Sequence, residues 1–329
     1  MAPPMLSYFR SQLLLKLPIP STSFSGLTII VTGANSGLGL EAARHLVRLN
    51  AAKVILAVRD LKKGAAAKAS IIESTKKEEG VIELWELNLA SRTSVQAFAT
   101  RANRLERLDV VVQNAGMLTH NFLLVEGNEA TITVNVINTF LLAFLLLPKL
   151  RSTSTKFGKE VVLTFTGSLV HWLADFHEWN SSGILQELAA EDKADMKQRY
   201  VLSKLLELFA FRELSEAIKQ SSKPGNIVVS MVNPGSVLTG LDREGRGIRA
   251  LIWSVYIRAV GRTAEEGSRT IVHAARGGQE THGQYLDDCK VGRTSDFVNS
   301  KEGCDAQKKF WEELTNLLEE IQGGIMQHL

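Results

Sequence analysis

Six short apolar runs, mostly β-branched, recur along the chain at 28–31, 53–58, 81–85, 108–112, 160–165 and 226–232. Strands this short and this continuously apolar belong in a sheet that is covered on both faces. The stretches between them, at 39–49, 61–77, 91–105, 128–150 and 192–220, read as helices, with apolar side chains three and four apart. Strand–helix alternation of this kind gives parallel strands joined by right-handed crossovers. The expected fold is a single doubly wound α/β domain, its parallel sheet of about seven strands flanked by helices on both faces. A chain of 329 residues suits one such domain. Residues 1–25 form an N-terminal arm and 26–329 the body, with excursions at 169–191 and 236–262.

Composition narrows the function. Hydrophobic residues make up 45% and charged residues 22%, an ordinary globular balance. The net charge of +3 comes without a dominant Lys/Arg cluster, which argues against a nucleic-acid partner. Cys289 and Cys304 have neither CxxC nor metal-ligand spacing and fit a reducing, cytoplasmic setting. His171 and His177 lack the H-E-x-x-H spacing, so no metal is expected. The apolar run from Phe140 to Leu147 is far shorter than the roughly 20 residues of a spanning helix and reads as a buried one. The arm carries Leu13, Leu14 and Leu15 but also four prolines, too short an apolar run for a secretory segment. It is expected to lie on the domain, with peripheral membrane contact left open.

The first strand runs into Thr32-Gly33-Ala34-Asn35-Ser36-Gly37-Leu38-Gly39, and a helix follows. Glycines there allow a tight turn and close approach of backbone to a pyrophosphate, and the helix N-terminus presents free N–H groups. The spacing G-x-x-x-G-x-G differs from G-x-G-x-x-G, yet its place in a strand–turn–helix marks a Rossmann-type dinucleotide site. Arg59 stands twenty residues past Gly39, where NAD sites carry an acid. A guanidinium there suits a 2′-phosphate, which points to NADP(H), although Asp60 follows at once.

Tyr200 and Lys204 are four apart in the longest helix, hence one turn apart on one face. Bringing a phenol from 10 towards 7 takes about 4 kcal/mol of preferential stabilisation of phenolate. A cation one turn away is suited to supply part of it. Ser168 follows the fifth strand, at the edge where ligands bind in such sheets, and Asn135 is a polar amide inside an apolar helix that must find partners.

Together these segments resemble the short-chain dehydrogenase/reductase family over about residues 26–290: T-G-A-N-S-G-L-G at 32–39, N-A-G at 114–116, Asn135, Ser168, Y-V-L-S-K at 200–204 and P-G-S-V-L-T at 234–239. The resemblance implies that Tyr200 is the general acid for carbonyl reduction and the base for alcohol oxidation. It implies that Lys204 lowers the tyrosine pKa and holds the nicotinamide ribose, that Ser168 orients the substrate oxygen, and that Asn135 holds a water. Gly33, Asn35, Ser36, Gly37, Leu38 and Gly39 would cradle the cofactor phosphates. Asn114, Ala115 and Gly116 would line the adenosine side, and Pro234, Gly235, Val237 and Thr239 the nicotinamide side. Asn88-Leu89 stands where the family has Asp-Leu at the adenine, and Gln113 replaces the usual Asn at the start of the N-A-G motif. Within the family the chain looks most like retinol-dehydrogenase-like members and reductases of fungal secondary metabolism, and a homodimer is a family expectation.

The segment 169–179 holds two Trp, one Phe and two His, as a substrate wall or as packing. The second excursion, with Trp253 and Tyr256, suits a lid. The expected activity is NADP(H)-dependent reduction of a hydrophobic ketone, or oxidation of the secondary alcohol, of polyketide or retinoid type. An isomerase or dehydratase on the same Tyr-Lys scaffold, or a non-catalytic NADP(H)-binding sensor, remains the alternative.

Overall fold

The computed structural model describes residues 5–241 and 255–329. Its main sheet has eight strands: β1 (Thr28–Thr32), β2 (Lys53–Val58), β3 (Ile82–Glu86), β4 (Val110–Gln113), β5 (Val161–Thr166), β6 (Ile227–Asn233), β7 (Tyr285–Asp287) and β8 (Lys290–Val291). The spatial order is β8-β7-β6-β5-β4-β1-β2-β3. Only the short β7–β8 pair at the edge is antiparallel, so seven strands run parallel, as expected. The order reverses between β1 and β4, the switch point where a doubly wound sheet opens its crevice. β7 was not among the six apolar runs. It is three residues long, and its place depends on pairing with β6 rather than on its own pattern.

Alternation along the strands divides the core in two. Ile30, Ile55 and Val111 face α4 (Arg92–Ala102), α5 (Asn138–Phe157), α6 (Met196–Gln220) and α8 (Lys301–Ile321), represented in that core by Phe98, Phe144, Phe209 and Phe310. Ile29, Val31 and Val54 face α2 (Gly37–Arg48), α3 (Leu61–Thr75) and α7 (Ala264–Ala274), through Leu46, Ile71 and Ile271. Each strand therefore buries both faces, which is why the runs lack polar alternation.

The central helix departs from expectation at both ends. It is entered through a π turn at Thr133–Ile137 and runs past 150 to Phe157, with Pro148 inside it. Proline has no N–H to give the carbonyl four residues back. Here Phe144 O accepts instead from His328 Nδ1 at 3.1 Å, so the C-terminus supplies the missing donor. Gly158, at φ 61°, then ends the helix in a left-handed cap. The span 130–157 is long and apolar enough to cross a membrane, but 94% of its most apolar window is buried inside the protein. The short run at 140–147 is thus part of a core helix.

The arm is helical at α1 (Met5–Leu14) and then without regular structure to residue 24. It lies on the loop that follows β6. The Tyr8 hydroxyl meets Ser236 Oγ at 2.5 Å, and Gln12 Oε1 accepts from Ser236 N at 3.1 Å. Buried Arg262 donates to Ser11 O, Pro234 O and Asp288 Oδ1, tying arm, loop and sheet edge together. Trp253, with residues 242–254 of the second excursion, falls outside the described residues.

Candidate active site

The cofactor side is built from glycines whose missing side chains leave room for neighbouring backbone. A Cβ on Gly39 would stand 2.5 Å from Asn114 Nδ2 and 2.6 Å from Gly33 O. Gly33 sits at φ +68°, and a Cβ there would be 2.9 Å from Ala115 Cα. The 32–39 turn and the 114–116 segment therefore touch. Thr32 joins them: its Oγ1 accepts from Asn114 N and Ala115 N, both at 2.9 Å, and its carbonyl accepts from Asn114 Nδ2. Across the crevice, Gly37 at φ +56° faces Thr239, and Val237 and Leu38 both close on Gly267. Asn35 is half-buried and Ser36 exposed.

The helix that begins here is open at its N-terminus. Ser36 makes no side-chain cap on α2, whereas Asp60, Ser91, Asp195, Thr263 and Ser300 cap α3, α4, α6, α7 and α8. No acidic residue lies in the first turn of α2. Open N–H groups, a favourable dipole end and a backbone cradle without Cβ atoms fit a pyrophosphate.

Asp60 and Arg59 are separated by their partners. The Asp60 carboxylate accepts from Lys63 N at 3.0 Å, and that backbone bond holds its pKa below the usual range. Arg59 is exposed at the end of β2. Asn88, half-buried, accepts at its Oδ1 from Ala90 N at 3.0 Å. The Leu89 side chain is buried in the core, and its carbonyl takes Asn138 Nδ2.

Tyr200 and Lys204 lie one turn apart on α6 behind the Asp195 cap. Among the described residues none hydrogen-bonds the Tyr200 hydroxyl. Lys204 is buried, and its Nζ donates to Thr166 O at 2.9 Å and to Glu207 Oε2 at 2.7 Å. Of three ammonium protons, one remains for a ribose hydroxyl. Lys204 does pull the Tyr200 pKa down, as expected, but the net direction is upward: burial outweighs it, and Glu207 adds a smaller push the same way. Burial of the phenol is thus the larger effect, which the i, i+4 spacing alone did not disclose.

Ser168 begins the turn beyond β5. Its Oγ accepts from Val170 N at 3.3 Å, leaving the hydroxyl proton to give. His171 supports this turn: its Nδ1 donates to Ser168 O at 2.7 Å, and Ser295 N donates to its Nε2 at 3.3 Å. Burial lowers the His171 pKa to about 4, so the ring is neutral and acts as a brace. Asn233, at the end of β6, accepts from Leu169 N and Gly235 N and so joins the serine turn to the loop 234–239. Pro234 is buried and Thr239 exposed there.

Asn135 sits in the π turn, a feature that recurs at functional sites. Its Oδ1 accepts from Met117 N, while its Nδ2 donates to Met117 O and Ser203 Oγ. Every amide hydrogen is engaged. A water at this residue would therefore belong to its backbone carbonyl. Gly116 packs against the same side chain.

Phe176 and Trp179 pack the excursion onto the core, while Leu173 is 55% exposed and Trp172 only half-buried. The aromatic segment thus divides between the two roles. Sequence reasoning missed Asn233 and Glu207, and placed Thr32 in the glycine motif without giving it a role. The readable signal for Glu207 was a single carboxylate within Leu205-Leu206-Glu207-Leu208-Phe209.

Fold and site together define a nicotinamide-dependent oxidoreductase scaffold. Residues 27–170 match the family model described as short chain dehydrogenase. The short-chain dehydrogenase anuD of Penicillium roqueforti is 42% identical over 97% of this chain and 84% of its own length. The short chain dehydrogenase/reductase dmxR8 of Cryptosporiopsis is 41% identical over 97% and 99%. A solved structure of an uncharacterised Mycobacterium paratuberculosis protein superposes with a TM-score of 0.65 at 25% identity, covering 90% of this chain and 96% of that one. The chain belongs to the short-chain dehydrogenase/reductase family of oxidoreductases.

Gly39→Ala forces a Cβ against rigid backbone and the motif amide at once. Overpacking of this kind costs about 2 kcal/mol. We expect the thermal unfolding midpoint to fall by several degrees and nicotinamide nucleotide binding, read by fluorescence titration, to weaken at least tenfold as the turn is displaced.

Proposed function

We propose that the protein is an NADP(H)-dependent reductase of a hydrophobic ketone, with the reverse alcohol oxidation on the same residues. The observation that carries the reading is Lys204, clamped between Thr166 O and Glu207 one turn from a Tyr200 hydroxyl that no described residue hydrogen-bonds. Gly33, Asn35, Ser36, Gly37, Leu38 and Gly39 would hold the phosphates. Asn114, Ala115, Gly116, Asn88 and the Leu89 backbone would lie along the adenosine, and Pro234, Gly235, Val237 and Thr239 beside the nicotinamide. When bound, the reduced cofactor supplies the hydride to the carbonyl carbon. Ser168 donates to the carbonyl oxygen, and Tyr200 delivers its proton to that oxygen as negative charge develops there. Lys204 stabilises the phenolate left behind, and water on the Asn135 backbone carbonyl returns the proton.

The preference for the 2′-phosphorylated cofactor rests on Asp60 being occupied as a helix cap, which leaves Arg59 as the charged group at the end of β2. Arg59→Ala is expected to weaken NADPH binding about ten- to a hundredfold, the loss of one charged hydrogen-bonding partner, and to leave NADH almost unaffected. Equal loss for both nucleotides would remove Arg59 from the 2′-phosphate.

An apolar substrate is supported by exposed Leu173, Leu238 and Leu241 on the segments that follow Ser168 and Pro234. The relatives are fungal short-chain dehydrogenases, which fits a place in secondary metabolism, where a polyketide-type ketone is the substrate we infer, and the two free cysteines favour the cytoplasm. The test follows the nicotinamide absorbance with NADPH and with NADH against aromatic and aliphatic ketones. NADPH-dependent consumption supports the reading. Tight binding without consumption of any ketone would transfer the site to an isomerase, dehydratase or sensor role.

A further inference from the structure

Glu207 lies one turn beyond Lys204 on the buried side of α6. Its carboxylate is 3% exposed and 2.7 Å from Lys204 Nζ, while the ammonium is 7% exposed. An ion pair this deep is not retained for stability alone, since apolar residues of similar volume would serve as well or better. The carboxylate also stands on the side of Lys204 away from Tyr200 along the helix. It therefore opposes the field that the ammonium places on the phenol.

We propose that Glu207 is a positioning residue of the reaction centre: it fixes the Lys204 ammonium against the end of β5 and, as its counter-charge, keeps the Tyr200 hydroxyl in the proton-donating form. This rests on the assignment of Tyr200 as the acid. A bare Lys204 would favour phenolate, the form that abstracts a proton from an alcohol. Lys204 with its carboxylate favours the phenol, the form that protonates a reduced carbonyl. Glu207 thus biases the site towards reduction.

Among the described residues the other charges nearby have partners of their own: buried Arg199, beside Tyr200 on α6, lies 3.8 Å from the Glu129 carboxylate, and Glu178 and Asp195 also act on it. β5, β6 and the π turn at 133–137 carry no titratable side chain. From the turn at 169–173 comes His171, whose low pKa of about 4 leaves it neutral. On α8, Lys309 and Glu313 are bonded to the 179–185 backbone, and Glu213 of α6 takes Gln307. Tyr285 on β7 is buried and stays protonated. The groups acting on Tyr200 are Lys204 and Glu207, and the group acting on Glu207 is Lys204.

The test reads the phenol itself, so it needs neither cofactor nor substrate. The chain has four tyrosines. Phenolate difference absorbance against pH, parent minus Tyr200→Phe, isolates the Tyr200 transition. The same subtraction is made in Glu207→Gln, which keeps an acceptor for Lys204 but removes the charge, and in Glu207→Asp, which keeps the charge. We expect the Tyr200 transition to fall by about one unit in Glu207→Gln and to stay near the parent value in Glu207→Asp. Equal transitions in the parent and Glu207→Gln, a rise in Glu207→Gln, or no Tyr200 transition in either before unfolding would overturn the proposal. A failure of the ketone assay, by contrast, would leave this titration unchanged.

Discussion

Tyr200→Phe is expected to lower ketone-dependent NADPH consumption by about a thousandfold, within the range that general acid catalysis contributes. The substitution removes one oxygen from a half-buried ring whose hydroxyl has no hydrogen-bond partner among the described residues. No protein acceptor or donor is stranded by it, so stability should change by less than about 1 kcal/mol. The Lys204 clamp on Thr166 and Glu207 does not involve the phenol. NADPH affinity, measured by titration, should therefore stay within a few-fold of the parent. Steady-state rates that persist within tenfold of the parent would assign proton transfer to another group.

Lys204→Met is expected to have a large effect of a different kind. Glu207 would remain buried without its partner, and breaking a buried ion pair from one side costs about 3–5 kcal/mol. Both groups are nearly inaccessible, so solvent screening gives little relief. The double variant Lys204→Met/Glu207→Leu should recover most of that loss in urea denaturation while remaining inactive. The pH dependence follows from the direction at Glu207, whose pKa already lies above 4.5 because burial outweighs Lys204. Without Lys204 it rises further. A carboxyl with a raised folded-state pKa binds its proton more readily folded than unfolded. Stability is then greatest below the unfolded value and is lost as pH rises through the folded one. The deficit of Lys204→Met should accordingly shrink as pH is lowered from 8 towards 5. A deficit constant over that interval would mean that the lost lysine stem, and not a stranded charge, accounts for the destabilisation.

These two substitutions also separate what is local in the chain from what is not. Tyr200 and Lys204 are one helical turn apart whatever surrounds them, so their pairing was readable from spacing. The same holds for the glycine turn at 33–39 and for six parallel strands, whose continuous β-branched runs report burial on both faces. The separation of Arg59 from Asp60 was not readable: it depends on the Asp60 carboxylate being turned to the N-terminus of α3. Pro148 reads as a helix stop, and becomes tolerable only because His328, 180 residues on, reaches the freed carbonyl. Asn135 reads as a polar amide in an apolar helix, and the fold gives its whole amide to Met117 and Ser203.

The direction of the Tyr200 pKa belongs with these. Spacing placed a cation beside the phenol, but the net effect was decided by burial under the rest of the domain and by Glu207 behind Lys204. The sequence by itself determined the sheet, the glycine turn and the one-turn spacing of Tyr200 and Lys204, because periodicity and turn chemistry act over a few residues. The tertiary structure decided the resting place of the arm, the β7 edge and the charge state of the site. Desolvation and distant partners exist only once segments far apart in the chain have been packed together.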